Sequence, residues 1–167
     1  RYGDFSRSNL ENCNLKKCNF IGTKFIESSL SGTDLEDATV DRADFTKSDL
    51  KNANMKGVKG LYTKFEYTDM ENVILTQAEL VDANMKKANL KNSILTEALI
   101  IGVCFDGANL ENCNFEGADL TQSDMRGAAL KGINLKNALL DNTKFFKKDL
   151  ALLNLDTEQR AAIILEE

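Results

Sequence analysis

Large apolar residues recur along this chain at every fifth position. Between residues 105 and 125, in FDGANLENCNFEGADLTQSDM, they are Phe105, Leu110, Phe115, Leu120 and Met125, and Ala108, Cys113, Ala118 and Ser123 stand two places before the last four. Carried in both directions without an insertion, the beat puts an apolar residue at 30 of the 31 multiples of five from Phe5 to Leu155, Gly60 being the exception. The position two before is Ala, Ser, Thr, Cys, Gly or Val in 28 of 31, failing at Ile133, Lys148 and Leu153. A fixed period of this kind marks a repeat architecture.

Period five suits neither regular element. On an α-helix, positions five apart are rotated by about 140° net, so the large residues would scatter around the axis. On a straight strand an odd period sends them alternately to opposite faces. The chain must therefore bend once per repeat, each unit being a short extended segment followed by a turn with its large residue pointing to a common axis.

The number of units per coil is written in the choice of large residue. Phe5, Phe25, Phe45, Phe65, Phe105 and Phe145 are spaced by multiples of twenty, with Met85 and Met125 completing the column, so four units make one coil. The next column, Leu10, Leu30, Leu50, Met70, Leu90, Leu110, Leu130 and Leu150, is uniformly unbranched. Two residues beyond these leucines come Asn12, Gly32, Asn52, Asn72, Asn92, Asn112 and Gly132. Those residue types tolerate positive φ at a turn.

Units such as ADF at 43 to 45, ANL at 88 to 90 and 108 to 110, and ADL at 118 to 120 resemble the pentapeptide-repeat family over about residues 2 to 155. Asn or Asp precedes the large residue in 18 of 31 units. The resemblance implies an all-β solenoid: a right-handed, four-sided (quadrilateral) parallel β-helix with the large and small residues inside, here about seven to eight coils of four pentapeptides. It also implies a non-enzymatic protein, since none of the repeat residues of the family is catalytic. Some members mimic DNA and bind type II topoisomerases, and many from photosynthetic bacteria and plastids have no assigned activity.

The beat predicts β-helix over residues 1–155 and a short capping α-helix over 156–167, within one domain. Asp156 followed three residues later by Gln159 is a cap-like start, and Ala161, Ile164 and Leu165 then fall on one face, over Leu150 and Leu155. Ile163 falls off it. At the other end nothing caps Phe5, which implies either that a leader or cap has been removed or that another chain covers the end, as in a homodimer joined through a solenoid end. The compartment stays open between cytoplasm and export to a periplasm or thylakoid lumen.

One local disturbance interrupts the pattern, at residues 56 to 62, KGVKGLY. A bulge with Leu61 turned inward to fill the space left by Gly60 is the expected structure. The alternative keeps register and leaves Leu61 outward, where Leu61, Tyr62, Val81, Leu99 and Ile101 would form one exposed patch across three coils, rimmed by Glu79, Asp82 and Asp119. Contiguous apolar surface marks a contact site. The other sides show few such residues.

Charge narrows the choice of partner. The net charge of −5 lacks the basic stripe of a general nucleic-acid binder. Outward positions around the Phe column hold nine bases and six acids, whereas the Leu10 and Phe20 sides are each acidic by three charges. A DNA mimic needs a dense surface of one sign, and interspersed lysines resemble ordinary solvated faces. No run of 18 apolar residues suggests a membrane span.

Chemistry finds no foothold in the sequence. There is no His, the glycines form no phosphate loop, and the carboxylates lie on outward positions, so no catalytic, cofactor-binding or metal residue is assigned. Cys13, Cys18 and Cys113 occupy the small inward position and Cys104 an outward one, which makes them fillers. A bridge between Cys13 and Cys18, on adjacent sides, stays open. The sequence favours a rigid protein-interaction module with an unknown partner; the alternative is a DNA-mimicking binder or inhibitor of a type II topoisomerase such as gyrase.

Overall fold

A computed structural model describes residues 1–167. The chain winds into a parallel ladder in which every bridge joins residues twenty apart, from Asp4↔Lys24 through Asp124↔Lys144, seven coil-to-coil steps on the Phe side. Four turns per coil give four sides. With no Pro in the chain, every unit keeps its amide donor.

Four of the five N–H groups in a unit are used by the backbone. Phe25 N–H and Glu27 N–H donate to the next coil, at Asp44 O (2.7 Å) and Thr46 O (3.0 Å). Ser28 N–H closes the turn onto Phe25 O at 3.2 Å, and Ser29 N–H donates to the preceding coil at Ser8 O, 3.0 Å. The fifth, on the first turn residue, lies outside the ladder. An Asn or Asp two residues earlier accepts it, as Asp4 Oδ1 does from Ser6 (2.9 Å) and Asp49 Oδ1 from Lys51 (3.0 Å). That Asx contact supplies the missing acceptor and accounts for the Asn/Asp preference before the large residue.

The second turn residue has φ in the left-handed region at every unit from Tyr2 to Asn142, and 21 of these residues are not glycine. The requirement read from the Asn and Gly column beside the leucines therefore extends to all four sides, where Arg7, Lys17, Glu27 and Tyr67 also adopt it. Such a conformation costs on the order of 1 kcal/mol and persists where its surroundings over-determine it. Here the hydrogen bonds to the flanking coils do so.

Inward residues form one continuous core. Phe25, Phe45, Phe65, Phe105 and Phe145 are buried, as are Leu30, Leu50, Leu90, Leu110 and Leu130. Rings in the Phe column stack at 5.5 Å (Phe5–Phe25), 4.8 Å (Phe25–Phe45) and 5.2 Å (Phe45–Phe65). Phe5 itself is 40% exposed and Leu10, Leu15 and Phe20 are half-buried, because only one side of the first coil has a neighbour.

No bulge occurs at Gly60. Thr39↔Lys59 and Lys59↔Glu79 keep the twenty-residue register, Gly60 stays at the inward position, and Leu61 is 40% exposed, pointing outward. The space is occupied by neighbours instead. A β-carbon on Gly60 would lie 2.7 Å from Leu80 Cδ2, 3.0 Å from Val40 Cγ2 and 2.5 Å from Thr63 Oγ1.

The C-terminal end differs in part from the short capping helix expected over 156–167. Regular units end at β1, Lys144–Phe146, which leads into a 3₁₀ helix, Lys147–Leu152, and then α1, Thr157–Ala162. Asp156 and Gln159 form a reciprocal capping box at the start of α1. Ile163 is then extended and β2, Ile164–Glu166, pairs in parallel with β1 through Lys144↔Ile164, again an offset of twenty. The open edge of β1 and the apolar run Ile163 to Leu165 favour a strand over further helix. Gln159 falls where a regular unit would donate its backbone N–H to Ala138 O; its side-chain Nε2 reaches Ala138 O (2.9 Å) and Leu135 O (2.7 Å) instead. Leu150 remains half-buried, whereas Leu153 and Leu155 are buried.

Candidate functional site

Outward apolar residues collect at one corner of the solenoid. Leu61, Val81 and Ile101 each hold the first turn position at the same corner of successive coils, so they stack in one column. Leu61 is exposed and Val81 and Ile101 are half-exposed; Leu99 and Tyr62, beside them, are 42% and 50% exposed. Apolar residues at adjacent coils shield one another only in part.

The same three turns are built differently from the rest. In every other turn from Phe5 to Thr143 the N–H of the small residue closes onto the carbonyl of the large one, but Thr63, Ala83 and Val103 make no such bond. These are open turns. At the uppermost, Ser123 Oγ takes the place of the closing bond, accepting from Val103 N–H (3.1 Å) and donating to Ile100 O (2.5 Å). At the lowest, Leu61 N–H donates to Asp41 Oδ1 (2.9 Å), since Lys59 cannot supply the Asx contact.

The sequence pattern missed a second exposed pair. Ile74 and Ile94, 39% and 41% exposed, bridge directly on the Leu15 side, and Leu139 is 55% exposed. They occupy the position usually held by Asn or Asp, so their signal lies among the exceptions to that preference. The pair is smaller than the Leu61 corner and spans two coils.

Along part of the Leu10 side, charges alternate in sign from coil to coil. One column reads Lys51, Glu71, Lys91, Glu111, Lys131, with Lys91 and Glu111 paired at 3.3 Å. Lys16 meets both Asp34 (3.1 Å) and Glu36 (2.7 Å), and Lys136 meets Glu116 (3.2 Å). Hydrogen bonding to Lys16 holds the Glu36 carboxyl below its usual range. Pairs this exposed contribute about 1 kcal/mol or less each, but in such a column they interrupt any run of one sign.

Concave sites are shallow. A cavity of about 320 Å³ separates Leu139 and Leu140 from α1, and its polar lining is Asn137, Asp141, Asp156, Glu158 and Gln159, which offers no nucleophile paired with a base. All four cysteines are free. Burial pushes the Cys113 thiol up to about 12, and its Sγ lies 2.9 Å from Leu90 O, so it remains protonated at neutral pH. No helix is long and apolar enough to cross a membrane.

Comparison with curated proteins found no match. Among solved structures, full-length QnrB1, a plasmid-mediated fluoroquinolone resistance protein, matches with 16% identity over 99% of this chain and 90% of that one, at a TM-score of 0.61. A trypsin-treated variant of QnrB1 matches at 18% identity, 98% and 79% coverage and TM-score 0.56. HetL, from the cyanobacterium Nostoc sp. strain PCC 7120 and involved in the regulation of heterocyst differentiation, shares 24% identity over 84% of this chain and 81% of its own, at TM-score 0.47. The two QnrB1 structures support the fold: a right-handed quadrilateral β-helix. Family models for pentapeptide repeats match residues 4–40 and 41–77 (eight copies each), and one for a pentapeptide repeat region matches 68–145. With its twenty-residue ladder and these matches over most of its length, the chain belongs to the pentapeptide-repeat family.

Proposed function

We propose that this chain is a non-catalytic, rigid interaction module that binds a protein partner through the Leu61, Val81 and Ile101 corner, with Tyr62 and Leu99 at its edge. The observation that carries the reading is the stacking of three outward apolar residues on three successive open turns. A fixed backbone presents them without an ordering cost, and exposed apolar surface of this kind gains free energy when covered.

The DNA-mimic reading, a binder of a type II topoisomerase, is weaker on electrostatic grounds. Mimicry needs continuous negative potential, and the alternation of Lys51, Glu71, Lys91, Glu111 and Lys131 interrupts it. The unmodified chain is expected to leave gyrase supercoiling uninhibited.

The test compares the parent with a Val81→Ser/Ile101→Ser variant. A protein retained by the immobilised parent would be purified and its Kd measured against both forms. The double variant should bind more weakly by up to about 3 kcal/mol, with its melting temperature nearly unchanged. Equal affinities for the two forms, or a variant that melts far below the parent, would sink the reading.

A further inference from the structure

The side next to this corner has a distinct composition. It runs from the Tyr62 corner across Lys64 to Tyr67, with the two tyrosines 50% and 51% exposed in a single coil. Both occupy the left-handed turn position, which directs them away from the core. Few outward positions elsewhere carry an aromatic ring.

Its bases are also the ones left over. Nine of the Lys and Arg residues between Arg1 and Lys144 form no ion pair, and six of them, Arg1, Lys24, Arg42, Lys47, Lys87 and Lys144, lie on this side or at its corner. Lys87 Nζ instead sits 5.3 Å from the centroid of the Tyr67 ring and 3.4 Å from its hydroxyl. Asp4 and Glu27, in the first two coils, and Asp82, at the Tyr62 corner, are exposed acids, but the two acids nearest Lys47 and Tyr67 sit lower than the bases. Asp44 and Glu66 are half-buried, Asp44 beside Lys64 at 3.9 Å and Glu66 accepting from Asn84 Nδ2 at 2.7 Å, while Arg42, Lys47 and Lys87 are exposed. Around Tyr67 a partner therefore meets Lys47, Lys87 and the tyrosine ring first.

We infer that this face takes an acidic, extended segment of a protein partner, whose carboxylates meet Arg42, Lys47 and Lys87 and whose apolar side chains seat on the neighbouring Leu61 corner. This rests on the corner being a protein-binding surface and adds the class of partner. Tyrosine and arginine are the residues that contribute most at interface centres, and charge complementarity selects among partners. Tyrosines among bases also suit single-stranded nucleic acid through stacking. The half-buried acids beneath the bases and the apolar corner beside them favour the protein.

The experiment is fluorescence anisotropy with three labelled probes: a short peptide alternating Glu and Leu, its Lys and Leu counterpart, and a short single-stranded DNA. The Glu/Leu peptide should bind, with affinity falling as salt rises. Lys47→Glu with Lys87→Glu should weaken it at least about tenfold, and Lys131→Glu, on another side, should leave it unchanged. If the charge reversals weaken binding but Val81→Ser/Ile101→Ser does not, the acidic-partner assignment stands and the corner reading fails. Preference for the Lys/Leu peptide or for DNA, indifference to the charge reversals, or a Kd for the Glu/Leu peptide weaker than about 1 mM would overturn the inference.

Discussion

The Leu80 side chain fills the place that the missing side chain of Gly60 leaves in the core: its Cδ2 would stand 2.7 Å from a β-carbon built on Gly60. Val40, from the coil on the other side, comes within 3.0 Å of the same point. A glycine that looks like a defect in the beat is therefore matched by its neighbours. Gly60→Ala, which moves the sequence towards the family pattern, should destabilise the protein by about 1 to 3 kcal/mol through overpacking. Chemical denaturation would measure it, and Leu80→Val in the same chain should recover part of the loss. A stabilised Gly60→Ala variant would show that the coils can shift to admit a methyl group.

Inward and outward positions one residue apart should respond very differently. Leu90 is fully buried in its column, whereas Lys91 is half-exposed and pairs with Glu111 at 3.3 Å. Leu90→Asp places an unpaired carboxylate in the core and should cost several kcal/mol, enough to unfold a marginal domain. Lys91→Ala should cost about 1 kcal/mol or less. Comparable melting temperatures for the two would contradict the column.

Much of this architecture is legible because the repeat is a one-dimensional rule. Residues at multiples of five can share an axis only if the chain bends once per unit, and the twenty-residue recurrence of Phe then sets the coil. What the rule cannot carry is any position where packing between coils decides. Gly60 reads as a bulge in sequence because nothing there shows that Leu80 and Val40 will fill the gap. Ile163 to Leu165 read as helix because their local propensity is ambiguous; the free edge of β1, a tertiary feature, makes them a strand. The corner residues are legible as outward, yet the three open turns beneath them depend on backbone closure that side-chain identity does not encode.

Gln159 links the end of the solenoid to α1. Its buried side chain donates to Leu135 O (2.7 Å) and Ala138 O (2.9 Å), while its Oε1 accepts from Asp156 N–H at 3.2 Å. Gln159→Leu leaves two buried carbonyls each short of a partner and should cost about 2 kcal/mol or more. Glu158→Ala, on an exposed neighbour, should be within about 0.5 kcal/mol of the parent. Urea denaturation of both would check the contrast.

The cysteines should separate by accessibility. Cys113 is buried, with its thiol pushed up to about 12 by desolvation, and Cys104 is half-exposed on an outward position. Thiol labelling of the native protein at neutral pH should therefore modify Cys104 readily and Cys113 only after unfolding. Mass mapping of the labelled sites reads this directly. Rapid labelling of Cys113 under native conditions would mean that its coil opens locally.

The clasp that holds β2 should weaken in acid. Arg126 binds Asp124 through Nε (2.8 Å) and a terminal nitrogen (2.5 Å) and also reaches Glu166 of β2. The Arg126 contact lowers the Asp124 carboxyl below its usual range, and burial opposes this only in part. A carboxylate whose folded value is depressed contributes stability that is fully present above its unfolded value, about 3.9, and is lost as pH falls through the folded one. Protonation of Asp124 removes the anion that orients Arg126 towards Glu166. Hydrogen-exchange protection of the Ile164 amide, which donates to Thr143 O at 2.8 Å, should therefore hold above about pH 4 and fall below it. Asp124→Asn should show reduced protection already at neutral pH and less change between neutral pH and the acid range. If protection of Ile164 in the parent is flat across that range, the Asp124–Arg126–Glu166 contacts do not hold the strand in place.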